Sequence, residues 1–163
     1  MKKTLLICAG LIFLFINARI IYEILTPPGE KVRARLAQMA EDFNEGQPGP
    51  CTSGLADQFV DETTKITKPE IRGVLARLAL TEKDPQSGHF PYRVQLQLKE
   101  LEYKVSSGTP PSVRVDFDAT FEKQRGEEWD LFWKVSITAH LEEVDGWQIV
   151  RSTHQTLAGR RFR

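Results

Sequence analysis

A chain of 163 residues is sized for about one domain. Its 22 basic residues balance 22 acidic ones, so no basic stripe is left to track a phosphate backbone, and nucleic acid is not an expected partner. The two cysteines, Cys8 and Cys51, read as ordinary small apolar residues, which excludes a disulfide-stapled scaffold.

Lys2 and Lys3 precede TLLICAGLIFLFI, residues 4–16, the one stretch with continuous membrane-grade hydrophobicity. It reads in either of two ways. Ile16-Asn17-Ala18 outlines an export signal cut after Ala18. Alternatively IIYEIL, residues 20–25, joins the run into an uncleaved span of about 20 residues, enough to cross a bilayer. Asn17, Arg19 and Glu23 then sit near one interface, where a long Arg side chain can snorkel. Residues 1–25 are thus a signal peptide or a membrane anchor. The remainder is expected outside the cytoplasm, tethered to the cell envelope, or secreted or periplasmic if the segment is removed. Lys2 and Lys3 before the segment, with Arg19, Lys31, Arg33 and Arg35 after it, leave the orientation open.

Thr26-Pro27-Pro28-Gly29 is a breaker cluster and serves as the linker, residues 26–29, to a domain over residues 30–158. Val32, Leu36, Met39 and Phe43 recur at steps of four, three and four, which predicts a helix that ends at Asn44-Glu45-Gly46 with a left-handed Gly. Gln47 to Pro50 is a loop. Leu55, Phe59 and Val60 within residues 53–62 predict a second, short helix. Thr67 with Glu70 three residues on is a capping box; Pro69 suits the first turn, and Ile71, Val74, Leu75 and Leu78 form the stripe of a third helix. These stripes are core faces rather than cofactor boxes, and no cofactor is expected.

From Tyr92 the period changes to two. Val94, Leu96 and Leu98 share one parity, whereas Leu101, Tyr103 and Val105 take the other, so a bulge near Lys99-Glu100 is expected to restore one face. Ser106 to Pro111 is a turn, and strands follow over residues 112–123, 127–142 and 147–157. Odd positions are apolar throughout: Val113, Val115, Phe117, Ala119 and Phe121, then Trp129, Leu131, Trp133, Val135, Ile137, Ala139 and Leu141. Three-residue loops at 124–126 and 144–146 set Lys123 against Glu127 and Glu143 against Trp147. Phe117 then lies opposite Trp133, Phe121 opposite Trp129, and Leu141 opposite Ile149.

The predicted fold is α+β: three N-terminal helices packed on a curved, bulged antiparallel sheet, preceded by one hydrophobic helix. FNEG closing the first helix, LADQF in the second and DGWQIVRSTHQ in the last strand give residues 30–158 a likeness to a known group. In order and spacing the chain resembles the nuclear-transport-factor-2-like superfamily. That resemblance implies a cone-shaped, cystatin-like domain with a pocket between sheet and helices, frequent dimerisation through the sheet, and functions ranging from isomerase and dehydratase to cargo binding and assembly. Fold does not choose among these.

In the expected register the concave face runs from Trp147 and Ile149 to Arg151, Thr153 and Gln155, with Trp133, Phe117 and Tyr103 lining the hollow. Arg151 there either clamps a carboxylate or phosphate or pairs with a helix carboxylate at the rim. The resemblance implies that an enzyme would place an Asp, His or Tyr in the hollow. Apart from Glu127 and Glu143 at the turns, the carboxylates of the first two long strands fall on outward positions. His140 and His154 point outward as well, and His89 lies in a loop. A general base would have to be Tyr103, Asp57 or Asp61, so no catalytic residue is assigned. No i, i+4 histidine pair or Cys-x-x-Cys spacing marks a metal site. On the outer sheet face, Arg114, Asp116 and Asp118 against Asp130, Phe132 and Lys134 suit a homodimer contact, with Phe132 near Val150. Residues 159–163 form a basic tail that could touch anionic lipid. The residues favour a non-enzymatic exported or membrane-tethered domain that binds a small apolar or anionic ligand or a partner protein. The alternative is a small isomerase or hydro-lyase acting on a hydrophobic substrate in the pocket.

Overall fold

Two prolines set the start of the first helix, because Pro is tolerated where an amide hydrogen would have no intrahelical partner. The computed structural model describes residues 26–98, 104–106 and 109–160. Helix α1 runs Pro28–Asn44, and its Val32, Leu36 and Phe43 are buried. Each such side chain contributes on the order of 1.5–3 kcal/mol on burial. Gly46 adopts φ +64° and lies so close to Phe90 that a Cβ would meet the ring at 2.9 Å. The Asn44 amide then bonds both backbone groups of Val94, donating to its carbonyl at 3.3 Å and accepting from its N–H at 2.6 Å, so the helix end is fastened to a strand. The expected loop at Pro48 is a short helix, α2, over Pro48–Thr52.

The expected second helix is instead a strand, β1, over Leu55–Asp61. Leu55 and Phe59 are four apart, a spacing that satisfies both a helical and an extended period. The free edge of the last strand decides the matter, since Ile149 N–H donates to the Gly54 carbonyl at 2.8 Å and parallel pairing continues from Leu55 to Asp61. Helix α3, Lys68–Glu82, starts as expected: Glu70 Oε2 accepts from the Thr67 N–H at 2.8 Å and from its hydroxyl at 2.6 Å. No residue of α3 is fully buried. Ile71, Leu75 and Leu78 are partly buried against the core, which makes α3 a lightly seated roof.

The remaining strands are β2 Tyr92–Gln97, β3 Lys104–Ser106, β4 Ser112–Arg125, β5 Glu128–Glu143 and β6 Trp147–Gly159. They form a six-stranded mixed sheet in the order β1-β6-β5-β4-β2, with β3 also on β4. The parallel β1 edge was not foreseen. Strand β6 runs on to Gly159, and Arg160 N–H bonds the Phe132 carbonyl at 3.0 Å, so the tail begins later than expected. Residues 1–25, the junction at Lys99-Glu100 and Tyr103 lie outside the described residues. Among the described residues no helix is long and apolar enough to cross a membrane.

The second hairpin has the expected register, with Glu143 opposite Trp147 and Leu141 opposite Ile149. The first is shifted. Arg125 pairs with Glu128 across a two-residue turn, and the extra residue Phe132 slips in between the Phe121–Trp133 and Glu122–Leu131 pairs. Phe117 therefore faces Ile137, and Phe121 faces Trp133. Beyond the bulge the parity of β5 is reversed, so Trp129 stands on the outer face under the Arg93 guanidinium, 4.1 Å from its ring centre. Phe132 is not an isolated outer-face residue, since its ring packs edge-on against buried Tyr92 at 5.9 Å.

Candidate functional site

Between the inner sheet face and helices α1 and α3 lies a cavity of about 450 Å³. Its walls are Leu36, Met39 and Phe43 of α1, Ile71, Val74 and Leu75 of α3, and Leu96, Phe117, Phe121, Trp133, Ile137 and Ile149 of the sheet. Trp133 and Phe117 are thus both in the cavity wall, though not opposite each other. Trp133 stacks on Phe121 with ring centres 5.2 Å apart and donates its indole N–H to Thr156 Oγ1 at 3.0 Å.

The expected ligand residues of β6 are elsewhere. Leu141 pairs with Ile149 but His140 pairs with Arg151, so Val150 is an extra residue in β6. One unpaired residue in a strand moves every later side chain to the other face. Arg151, Thr153 and Gln155 consequently lie opposite His140, Thr138 and Ser136 on the outer face and are exposed. Arg151 and Trp133 occupy opposite surfaces of the sheet. Arg151 faces Glu62 at 3.9 Å, an open pair of little energetic weight, and does not enter the hollow. Tyr103 lies outside the described residues.

The same bulge turns Ser152 and His154 inward, against the expectation that His154 faces solvent. Both meet Asp61. Asp61, one of the candidate general bases, ends β1 rather than lying in a helix and is only 5 % exposed. Its Oδ1 accepts from the Thr64 N–H and hydroxyl, each at 2.8 Å. Its Oδ2 accepts from the Ser152 hydroxyl at 2.9 Å and lies 3.0 Å from His154 Nδ1. Burial alone would raise the Asp61 pKa, but the bonds from His154, Thr64 and Ser152 outweigh it and hold the carboxyl below its ordinary range. The companion candidate Asp57 is fully exposed and bonded to Lys68 Nζ at 2.8 Å.

This arrangement fixes the imidazole. A carboxylate facing Nδ1 selects the tautomer with its proton there, which leaves the Nε2 lone pair free in the neutral ring. Trp133 packs edge-on to the ring at 5.7 Å, and His154 N–H bonds Thr63 Oγ1 at 2.9 Å, so ring and backbone are both held. Among the described residues, no group hydrogen-bonds Nε2. The remaining polar wall is sparse. Thr52 turns its hydroxyl to the Pro48 carbonyl at 2.8 Å, and Cys51 stays a neutral thiol, its pKa pushed up to about 12 by burial and by Asp42.

Residues 61–64, Asp-Glu-Thr-Thr, carried one signal that went unread: an Asp followed three residues later by Thr is a turn that captures its own backbone. Nothing local in Val150 announces its bulge.

No family model matches the chain, and no curated protein matches it. Solved structures do. A protein of unknown function from Mycobacterium tuberculosis is 12% identical, with 77% of this chain and 74% of that one covered at a TM-score of 0.60. An NTF2-like protein with a cystatin-like fold from Novosphingobium aromaticivorans is 10% identical over 90% of each chain, at 0.59. A proposed dehydratase of the NTF2-like family from Streptomyces avermitilis is 14% identical over 80% of this chain and 96% of that one, at 0.55. At such identities the likeness is one of fold. The chain therefore has the α+β, cystatin-like fold of the NTF2-like proteins.

Proposed function

We propose that this chain is a small acid–base enzyme, an isomerase or hydro-lyase, acting on a largely apolar substrate in the cavity. His154 is the proton carrier, and Asp61 is the positioning residue that sets its tautomer. The observation that carries this reading is the Asp61–His154 contact of 3.0 Å at the wall of an apolar cavity. A plain binding domain needs no ionised carboxylate inside its hollow, and burying one is costly without compensation. Here four hydrogen bonds hold it, and all four donors are used up by doing so. The unpaired group is the imidazole edge that a substrate would meet.

In an isomerisation, Nε2 takes a proton from one carbon as the double bond shifts, then returns it to another. In a dehydration, it takes the proton beside a carbonyl and delivers it to the departing hydroxide, which leaves as water. Either use of a positioned imidazole accelerates proton transfer by typically 10²–10⁴-fold. The Streptomyces neighbour described as a proposed dehydratase is in keeping with the second route. With residues 4–25 as signal or anchor, this chemistry would take place at the cell envelope.

The test is deuterium wash-in. Lipophilic ketones and β-hydroxy ketones that raise the melting temperature are incubated with the protein in heavy water and followed by mass spectrometry. Exchange or water loss above the blank is expected, and His154→Ala should reduce it at least about a hundredfold. Bound compounds that neither exchange nor dehydrate, or an unchanged rate in His154→Ala, would return the chain to the binding reading.

A further inference from the structure

The chemistry of the cavity wall constrains the charge of what it holds. Its polar side chains Asp61, Thr64, Ser152 and His154 are bonded together, Thr52 turns its hydroxyl to the Pro48 carbonyl, Cys51 is a neutral thiol, and the rest of the wall is apolar. Among the described residues that line it, none is Lys or Arg. Three cations of the surrounding elements are engaged elsewhere: Arg151 faces Glu62 on the outer sheet surface, Lys123 bonds Glu82 at 2.9 Å, and Arg35 donates to the Ser53 carbonyl at 2.7 Å. The interior charge is therefore that of the Asp61 carboxylate.

We infer that the cavity takes an uncharged lipophile which brings a hydroxyl, or the acidic C–H beside a carbonyl, to the His154 Nε2 lone pair, and that it discriminates against carboxylates. This rests on the acid–base reading above and names its substrate class. An entering carboxylate would lose its water in an apolar enclosure and meet a like charge a few ångströms away, with no cation to offset either loss. A protonated amine is attracted by the same charge, but both Asp61 oxygens already accept two donors each, so it would find no open carboxylate position. A neutral hydroxyl, or the C–H beside a ketone carbonyl, requires only the one imidazole edge that remains. The volume of about 450 Å³ falls within the range of small-molecule sites, roughly 300–1,000 Å³.

The experiment is calorimetric titration of the full chain at neutral pH with three probes sharing one naphthalene body: a methyl ketone, the carboxylate and the methylammonium ion. The ketone should bind at least about tenfold more tightly than either ion. Asp61→Asn should then narrow the gap between ketone and carboxylate by a similar factor, provided its near-ultraviolet circular dichroism matches the parent. The wild-type ranking stands without that variant. Carboxylate or amine binding as tight as the ketone, or no binding by the ketone, overturns the inference. If the ranking holds but deuterium exchange is absent, the substrate class survives as a ligand class while the catalytic reading falls.

Discussion

Asp61 and Ser152 stand directly across from each other in the parallel pairing of β1 with β6, and the Ser152 hydroxyl donates to Asp61 Oδ2 at 2.9 Å. Two residues further along the same face comes His154. Both contacts require that Val150 stay unpaired, because pairing it with His140 would turn the odd side chains that follow inward. Deleting Val150 sets Arg151 directly after Ile149 and still opposite His140, so the ladder becomes regular with Ser152 and His154 on the inner face. The deletion variant should therefore keep probe binding, read by calorimetry. Lost binding in a deletion variant that still folds would show that the local twist of the bulge, and not parity alone, sets the site.

Asp61 links the site to acid stability. Its folded pKa lies below its ordinary value, burial being outweighed by the hydrogen bonds from His154, Thr64 and Ser152. Ionised Asp61 thus favours the folded state at pH values above the unfolded pKa of about 3.9, and this contribution is lost as pH falls through the lower folded value. Urea melts from pH 7 to pH 3 should show a steeper decline for the parent than for Asp61→Asn. Parallel curves would mean that the carboxylate is not held in the manner described.

Arg151 and His154 make a paired comparison. Arg151→Ala removes an exposed contact at 3.9 Å and should alter stability by less than about 0.5 kcal/mol and ketone binding by less than about twofold. His154→Ala withdraws one of the four donors to a buried carboxylate, a change of about 1–3 kcal/mol, together with the group that meets the ligand. Calorimetry on the two variants separates the inner from the outer face of β6. A binding loss in Arg151→Ala would restore the arginine clamp.

Much of the architecture was legible because it is local. The Val32, Leu36 and Phe43 stripe, the Thr67–Glu70 box and the odd parity of β4 each follow from the nearest few residues, and all three are present. The loop at 144–146 also followed from its Gly. What failed depends on distant partners. Strand β1 owes its conformation to the edge of β6, and the bulges at Phe132, Val150 and Leu157 arise where long strands curve around a core. Asp61 and His154, 93 residues apart, come together only after those bulges have set the parity, so the hollow was visible in sequence and its chemistry was not.

Cys51 lines the cavity, yet it should be a poor nucleophile. Its pKa of about 12 reflects burial first and the nearby Asp42 second. With Cys8→Ser leaving Cys51 as the remaining thiol, iodoacetamide at pH 8 should react roughly a thousandfold more slowly than with a free cysteine. Fast labelling under native conditions would show that α3 opens widely enough to hydrate the thiol.

Gly73 offers a test of that roof. It lies in the interior of α3, has ordinary helical φ, and a Cβ built on it meets nothing within 4 Å. Gly in a helix interior is less favourable than Ala by about 0.5–1 kcal/mol, largely through the freedom of the unfolded backbone. Gly73→Ala should therefore raise the melting temperature by a few degrees. Because α3 has no fully buried residue, local fraying is its easiest opening, and a stiffer helix should slow ligand entry and exit together. Stopped-flow quenching of Trp133 by the ketone probe reads both rates. A rise in melting temperature with unchanged rates would mean that ligands enter without moving α3, past the rim near Thr64 instead.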